Sequence, residues 1–371
     1  MMVRVATENR IMTKRIYTKI VGTGSYIPTR TIGNDYFRDH VFYDAFTKQP
    51  LEKSNEEIIQ KFKEITNISE RRWLSDDLMN SDMAAFAVKE ALDSAKIDPE
   101  TLDFIIVGHN FGDVTPGSTH ADLLPSLANK VKAKLNIKNP TCICHDIISG
   151  CPGWTQGMII ADAYIRSGIY SRGVVVGSDV LSRIADPHDR DMLIYADGAG
   201  ATIVEAIESE EPTGILSHSS RSDTVNHWNL LTNGSSFNPD FDGNNQFIKM
   251  SGHKLYLYAI SNVPPVVKES IEKAGLQLGD IKKVLLHQAN EKMDEVILKN
   301  VFKLFGEKEI PEGIMPMTIE KLGNSSAATV PTLLDLILKG KMDGQAIHPG
   351  DHILLCSVGA GMNINSIVYK V

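Results

Sequence analysis

Apolar positions along this chain recur at strand spacing and at helix spacing, and the two alternate from end to end. Tyr17 to Gly22 is a β-branched apolar run, read as a first strand that turns through Gly22-Thr23-Gly24-Ser25. Ser54-Asn55-Glu56-Glu57 is a capping box, and Ile58, Ile59, Phe62 and Ile65 behind it lie on one helical face. A second helix, rich in alanine, is expected from a cap at Ser81 to about Ala95. Leu102–Val107 is apolar but for Asp103 and of strand length, ending at Gly108-His109-Asn110. Thr141 to about Ile148 reads as a buried strand, which Ser149-Gly150 breaks. Pro152 then stands at a first helical position, where its missing N–H costs nothing, and Trp154, Met158, Ala161 and Ile165 follow at helical spacing to a stop at Gly168.

The second part of the chain continues the alternation. Asp197-Gly198-Ala199-Gly200-Ala201 reads as a glycine turn into the strand Thr202-Ile203-Val204. Asn290 caps a helix from Glu291 to Phe305, and Leu322 to Ala328 is a turn feeding an apolar helix, Thr329–Leu338. Ile353–Val358 and Ile364–Val371 form a hairpin around Gly359-Ala360-Gly361, whose glycines would let backbone approach a ligand.

One pattern occurs twice. Ala91 to Asn110 aligns without gaps on Ser270 to Ala289, and Ile105-Ile106-Val107 falls on Val284-Leu285-Leu286. Two copies of one α/β half are therefore expected, residues 12–205 and 206–371, behind an extension at residues 1–11 with Met12 a candidate start. By the repeat, His287 projects from a strand end where the halves meet, a usual place for an α/β active site.

Composition narrows the field. A net charge of −8 over 371 residues argues against broad nucleic-acid binding, though it leaves room for a local basic patch. No apolar run approaches a membrane span, and Met1 to Ile11 lack the apolar core of a signal peptide. Four cysteines make no disulfide framework, so a reducing, cytoplasmic compartment is expected.

Chemistry concentrates at element ends. Cys151 lies between a strand and a helix N-terminus, where the helix dipole favours a thiolate and free N–H groups could hold a thioester oxygen. A packed core cysteine is an equally good account of that stretch alone. Cys142, Cys144 and His145 do not share a strand face, and no second ligand pair follows, so no metal site is expected. The Gly-x-Ser-x-Gly motif and the P-loop are both absent. What remains is Cys151, His287 and Asn324, each at the end of a different element. A Cys with His and Asn fits papain-like hydrolysis as well as acyl transfer.

Longer motifs carry a resemblance. Ile20-Val21-Gly22-Thr23-Gly24-Ser25-Tyr26-Ile27-Pro28, Gly177-Ser178-Asp179-Val180-Leu181, Asp186-Pro187-His188-Asp189-Arg190, His287-Gln288-Ala289-Asn290 and Gly323-Asn324-Ser325-Ser326-Ala327-Ala328 are similar to the β-ketoacyl-acyl carrier protein synthase III family. The resemblance implies an α/β thiolase-like fold, with duplicated βαβαβαββ halves in five αβαβα layers, and a homodimer. It implies an acyltransferase in which Cys151 takes an acyl group from a thioester, while His287 and Asn324 donate to the malonyl thioester oxygen. Loss of CO₂ then gives an enolate that attacks the acyl-Cys151 carbonyl, held by the N–H groups of Cys151 and Gly361. No cofactor is implied beyond the phosphopantetheine arm of coenzyme A or acyl carrier protein. Arg190 would stack on the coenzyme, and Lys292, on one helical face with Lys299 and Lys303, would dock acyl carrier protein.

The departures point to variants of that activity. Lys61 and Ile65 fall where relatives grip the coenzyme adenine, and Ala121-Asp122-Leu123 lacks an aromatic that often closes the acyl pocket. A secondary-metabolite ketosynthase that condenses or cyclises longer acyl groups, of the dialkylresorcinol type, is one alternative. A degradative thiolase is another, with Cys356 as the only candidate for the second catalytic cysteine. A member that has kept only acyl transfer or binding is a third, opposed by the intact Cys151, His287 and Asn324.

Overall fold

A computed structural model describes residues 14–241 and 243–371. The expected extension at residues 1–11 and the start at Met12 lie outside the described residues. Two sheets form the frame. The first runs, in spatial order, Arg15–Tyr26, Asp197–Ser209, Arg172–Val180, Phe104–His109, Ile143–Ile148, with the last three strands parallel. The second runs Gly214–Ser222, Asn363–Lys370, His352–Gly359, Ile281–Leu286.

Strand alternation sorts the core into layers, because successive residues face opposite sides of a sheet. In Phe104–His109, Ile105 and Val107 pack outward on the helices Asn80–Ala95 and Leu127–Lys134, whereas Phe104 and Ile106 pack inward. The inward layer holds the helices Gly153–Arg166 and Thr329–Leu338 between both sheets, with Leu285, Leu355 and Ile367 closing it from the second sheet. The helices Gly252–Lys273 and Glu291–Leu304 cover the far face. That is the expected five-layer thiolase-like architecture. The repeated segment also appears twice, as helix, short 3₁₀ turn and strand, at Asn80–His109 and Gly252–Leu286.

Four expectations need correction. The first strand does not turn at Gly22 but continues to Tyr26 through a bulge between Ile20 and Gly22. Its glycines answer to packing: a Cβ at Gly24 would lie 2.3 Å from the Ala87 carbonyl oxygen of the helix laid across it. Ser81 does not cap that helix. It is already inside it, and its N–H and hydroxyl donate to Asp113 at 2.8 and 2.9 Å. Asp197-Gly198-Ala199-Gly200 is no turn but the start of a long strand, flattened so that Thr329–Leu338 can lie against Gly200. Finally, Ile143–Ile148 is the edge of its sheet and half-exposed, with Ile148 62% exposed. Its apolar composition resembled a buried strand because it carries apolar groups on an uncovered edge. Among the described residues, no helix is long and apolar enough to cross a membrane.

Candidate active site

The strand Ile143–Ile148 ends one residue before a tight turn at Gly150, in the left-handed region at φ +63°. The Gly153 N–H closes that turn on the Gly150 carbonyl at 2.8 Å, and Cys151 stands at its apex before the helix Gly153–Arg166. The C-terminal hairpin meets this turn from the other half. A Cβ on Gly359 would lie 3.0 Å from both Cβ and N of Cys151 and 2.5 Å from Pro152 Cδ, so only glycine lets that backbone lie there. The next residue, Ala360, faces Gly150, whose added Cβ would lie 3.3 Å from the Ala360 nitrogen. Gly361, expected to offer its N–H to the nucleophile's carbonyl, follows Ala360. Its carbonyl accepts from Thr224 Oγ1 at 3.0 Å, and a Cβ there would meet Asn363. The left-handed φ of +73° at Gly361 carries the chain out of the site.

Ser326 joins the three expected residues. Its hydroxyl donates to Cys151 Sγ at 3.3 Å and accepts from Asn110 Nδ2 at 2.8 Å. Its backbone N–H donates to Asn324 Oδ1 at 2.8 Å. The Ser326 backbone also faces the His287 ring. Behind it, Asp179 accepts from Asn110 N and Nδ2 at 2.7 and 2.8 Å and from Ala327 N at 3.2 Å. His287 follows the strand Ile281–Leu286, and its N–H donates to the Cys356 carbonyl at 2.8 Å. Asn324 is held by Ala196 N–H on its carbonyl and by its own N–H on the Ile194 carbonyl. The structure therefore brings Cys151, His287 and Asn324 to one place.

Burial sets the charge states. It pushes the Cys151 thiol up to about 12, helped by the nearby Asp179 carboxylate and opposed by the Ser326 hydroxyl. Burial and Asp179 thus work against the thiolate that the helix end favours, while the Ser326 hydrogen bond works for it. Burial also lowers the His287 imidazole to about 4, so the ring is neutral near pH 7 and offers one N–H rather than a positive charge. Its Nδ1 is buried without a hydrogen-bond partner among the described residues.

A cavity of about 660 Å³ leads to Asn324. Asn290, Ala289, Met293, Tyr256 and Met250 line it, together with Arg190 and Asp191. Lys61 and Ile65, expected where relatives grip the coenzyme adenine, stand on its wall. Lys292 lies outside it, in an open cleft with Lys63, Glu64, Asn67, Glu291 and Glu295. Lys292, Lys299 and Lys303 are all exposed on Glu291–Leu304, but Glu295 interrupts the basic face. Cys356 packs under the outer helices beside Ile297 and Val263, away from the Cys151 turn. Among the described residues, no group of three or more His, Cys, Asp or Glu is placed to hold a metal ion.

Sequence reasoning quoted Ser326, Asp179 and Asn110 inside motifs or at a strand end but gave them no part in the site. The gapless repeat pairs His287 with Gly108 and Asn110 with Ala289, so it gave no signal for Asn110.

Comparison with known proteins finds relatives along nearly the whole chain. Residues 145–224 match the family described as 3-oxoacyl-[acyl-carrier-protein (ACP)] synthase III, and residues 271–371 match its C-terminal domain. A 3-oxoacyl-[acyl-carrier-protein] synthase III from Aquifex aeolicus is 31% identical over 95% of this chain and all of its own, with a TM-score of 0.75. The corresponding enzyme from Thermus thermophilus is 28% identical over 95% of this chain and 99% of its own, with a TM-score of 0.76. The priming β-ketosynthase of a polyketide biosynthetic pathway is 25% identical over 98% of each chain, with a TM-score of 0.77.

Proposed function

The chain belongs to the 3-oxoacyl-[acyl-carrier-protein] synthase III family, and from that membership we propose a decarboxylative condensing enzyme with Cys151 as the acyl acceptor. One observation carries the reading: Ser326 ties Cys151 Sγ and Asn324 Oδ1 together at the end of the cavity, beside a neutral His287.

The steps follow from the groups present. Cys151 sulfur attacks the carbonyl of an acyl thioester, and the departing thiol takes up the proton that Cys151 gives up. The Cys151 N–H and the Ala360 N–H receive the carbonyl oxygen, Ala360 replacing Gly361 in that part because it faces the turn. A malonyl thioester then enters the same cavity, with His287 and Asn324 donating to its thioester oxygen. Breaking the bond to the carboxylate releases CO₂ and leaves an enolate, which these donors stabilise and a neutral histidine suits. The enolate carbon bonds to the acyl carbonyl carbon, and Cys151 is expelled as a thiolate that takes a proton from solvent as the 3-oxoacyl thioester forms.

The cavity takes the phosphopantetheine arm of coenzyme A or of acyl carrier protein, with Arg190 on its wall, and no other cofactor enters the scheme. Lys292 serves an acidic carrier at the outer cleft. The uncovered edge Ile143–Ile148 is the surface on which a second copy would pair to make a homodimer, because an open strand edge offers unpaired N–H and C=O groups. We place the enzyme in the cytoplasm. Primary fatty acid synthesis and a specialised ketosynthase for longer acyl groups both use this chemistry. Lys61 and Ile65 on the cavity wall favour carrier-bound substrates over coenzyme A and so the second. A degradative thiolase is disfavoured, because Cys356 faces the outer helices.

Intact-mass analysis with acyl thioesters and carboxyl-labelled malonyl carrier protein tests the reading. Cys151→Ala is expected to take no acyl group. Asn324→Ala is expected to acylate yet release CO₂ about 10² to 10³ times more slowly. Acylation on Cys142, Cys144 or Cys356 would refute it.

A further inference from the structure

Three carboxyl groups stand close together in the segment 186–191, and the protein pairs only two of them. Asp186 accepts from Ser236 Oγ and from the Phe237 N–H, each at 2.8 Å, and forms an ion pair with Lys249. Asp189 accepts from the Asp191 N–H at 3.0 Å and faces Lys249 at 3.4 Å. The carboxyl group of Asp191 receives no hydrogen bond and makes no ion pair among the described residues. Neither of its oxygens is sealed from solvent, and the residue lines the cavity together with Asn324. Burial and the neighbouring Asp189 push this carboxyl above the ordinary carboxylate range, with Arg190 and Lys249 opposing them.

Its place on the wall says what could pair with it. Asp191 belongs to the 3₁₀ turn Arg190–Ile194, in which residues three apart lie one above the other. Ile194 also lines the cavity, and its carbonyl accepts the Asn324 N–H at 3.0 Å. The Asp191 backbone is therefore one turn, about 6 Å of rise, from the group that anchors Asn324. In the scheme above, Asn324 donates to a thioester oxygen. The first hydrogen-bond donor beyond the sulfur of a pantetheine thioester is an amide N–H, two methylene groups away, a span comparable to that turn. Polar groups withdrawn from bulk water normally find partners, and a carboxylate is a strong acceptor.

We propose that the Asp191 carboxyl accepts a hydrogen bond from the amide N–H nearest the sulfur of the thioester arm, so that this residue selects amide-bearing thioesters over others. The proposal rests on the reading of the cavity as the passage for the arm and of Cys151 as the acyl acceptor. A site built for a substrate N–H discriminates against an analogue that lacks it, because its own polar group is then left unpaired.

The test uses the full chain with acetyl, hexanoyl and decanoyl groups. Each is offered on N-acetylcysteamine and on 2-acetoxyethanethiol, in which an ester oxygen replaces only the N–H. Acylation is read as the mass that appears on the Cys151 peptide. The wild type is expected to have the higher kcat/KM with the amide arm, and Asp191→Ala to reduce the amide-to-ester ratio about tenfold. Asp191→Asn keeps an acceptor oxygen without the charge, and its ratio should fall between the two. Acylation from the ester arm shows that each variant is folded. No preference in the wild type, or a ratio unchanged in both variants, overturns the proposal and leaves Asp191 a hydrated carboxyl on the wall. A wild type that takes no acyl group on Cys151 from either arm overturns the reading of the site as well.

Discussion

Ser326 Oγ donates to Cys151 Sγ across 3.3 Å, from a residue whose φ of +54° is unusual for serine. A non-glycine residue persists in the left-handed region only where its surroundings over-determine it. Here those surroundings are Asn110 on the hydroxyl and Asn324 on the backbone N–H.

Ser326→Ala keeps the backbone bond to Asn324 and removes the hydroxyl from both Cys151 and Asn110. Acylation of Cys151 is expected to slow about five- to tenfold, the loss of one ordinary hydrogen bond. Decarboxylation by enzyme already acylated should change less. Time-resolved intact mass separates the two, and an effect confined to decarboxylation would contradict the arrangement.

The pH dependence of Cys151 follows from its environment. A thiol pushed up to about 12 is almost entirely protonated at pH 7, and its thiolate fraction rises about tenfold per pH unit until the pH nears that value. His287, lowered to about 4, stays neutral across the same range and adds no inflection. Alkylation of Cys151 by iodoacetamide is therefore expected to climb steadily from pH 6 to pH 9. A plateau beginning near pH 7 would mean that the helix end does hold a resting thiolate.

Gly359→Ala places a methyl group 3.0 Å from Cys151 Cβ and 2.5 Å from Pro152 Cδ, with no flexible side chain to yield. The turn must shift, so acylation is expected to fall at least a hundredfold. A misplacement of about 1 Å at a reacting centre has effects of that order. Circular dichroism should still report the native helix content, and near-normal acylation would show that the hairpin does not set the position of Cys151.

Lys292→Glu concerns the cleft and not the cavity. KM for malonyl carrier protein is expected to rise severalfold, while Cys151 acylation from a small thioester stays level, and the difference should shrink as salt is added. Equal losses with both substrates would place carrier docking elsewhere.

How much of this was readable beforehand depended on whether a signal was local. The strand–turn–helix around Cys151, the cap at Asn290 and the helix Thr329–Leu338 were legible because a few adjacent residues specify each. The edge position of Ile143–Ile148 was not, because composition does not say which strand a sheet leaves uncovered. The upward push on the Cys151 thiol was missed for a related reason. The helix end is visible in the sequence, whereas Asp179, whose charge raises the thiol, and Ser326, whose hydroxyl opposes it, are distant along the chain. The approach of Ala360 to Gly150 was not legible either, because the left-handed residue Gly361 inside a short hairpin sets the path of the chain there.

Asp179 grips the Ala327 N–H, Asn110 grips Ser326, and Ala196 grips Asn324, so every one of these bonds joins a residue before position 205 to one after 320. The reaction centre is thus a seam, and it exists only once both halves have docked. A nick in the exposed link at Glu210–Glu211 should leave a working enzyme, since no strand of either sheet includes those two residues. The two fragments made separately would each be chemically silent. Acyl transfer to Cys151 would then return only on mixing, making the covalent label a readout of how completely one half has found the other.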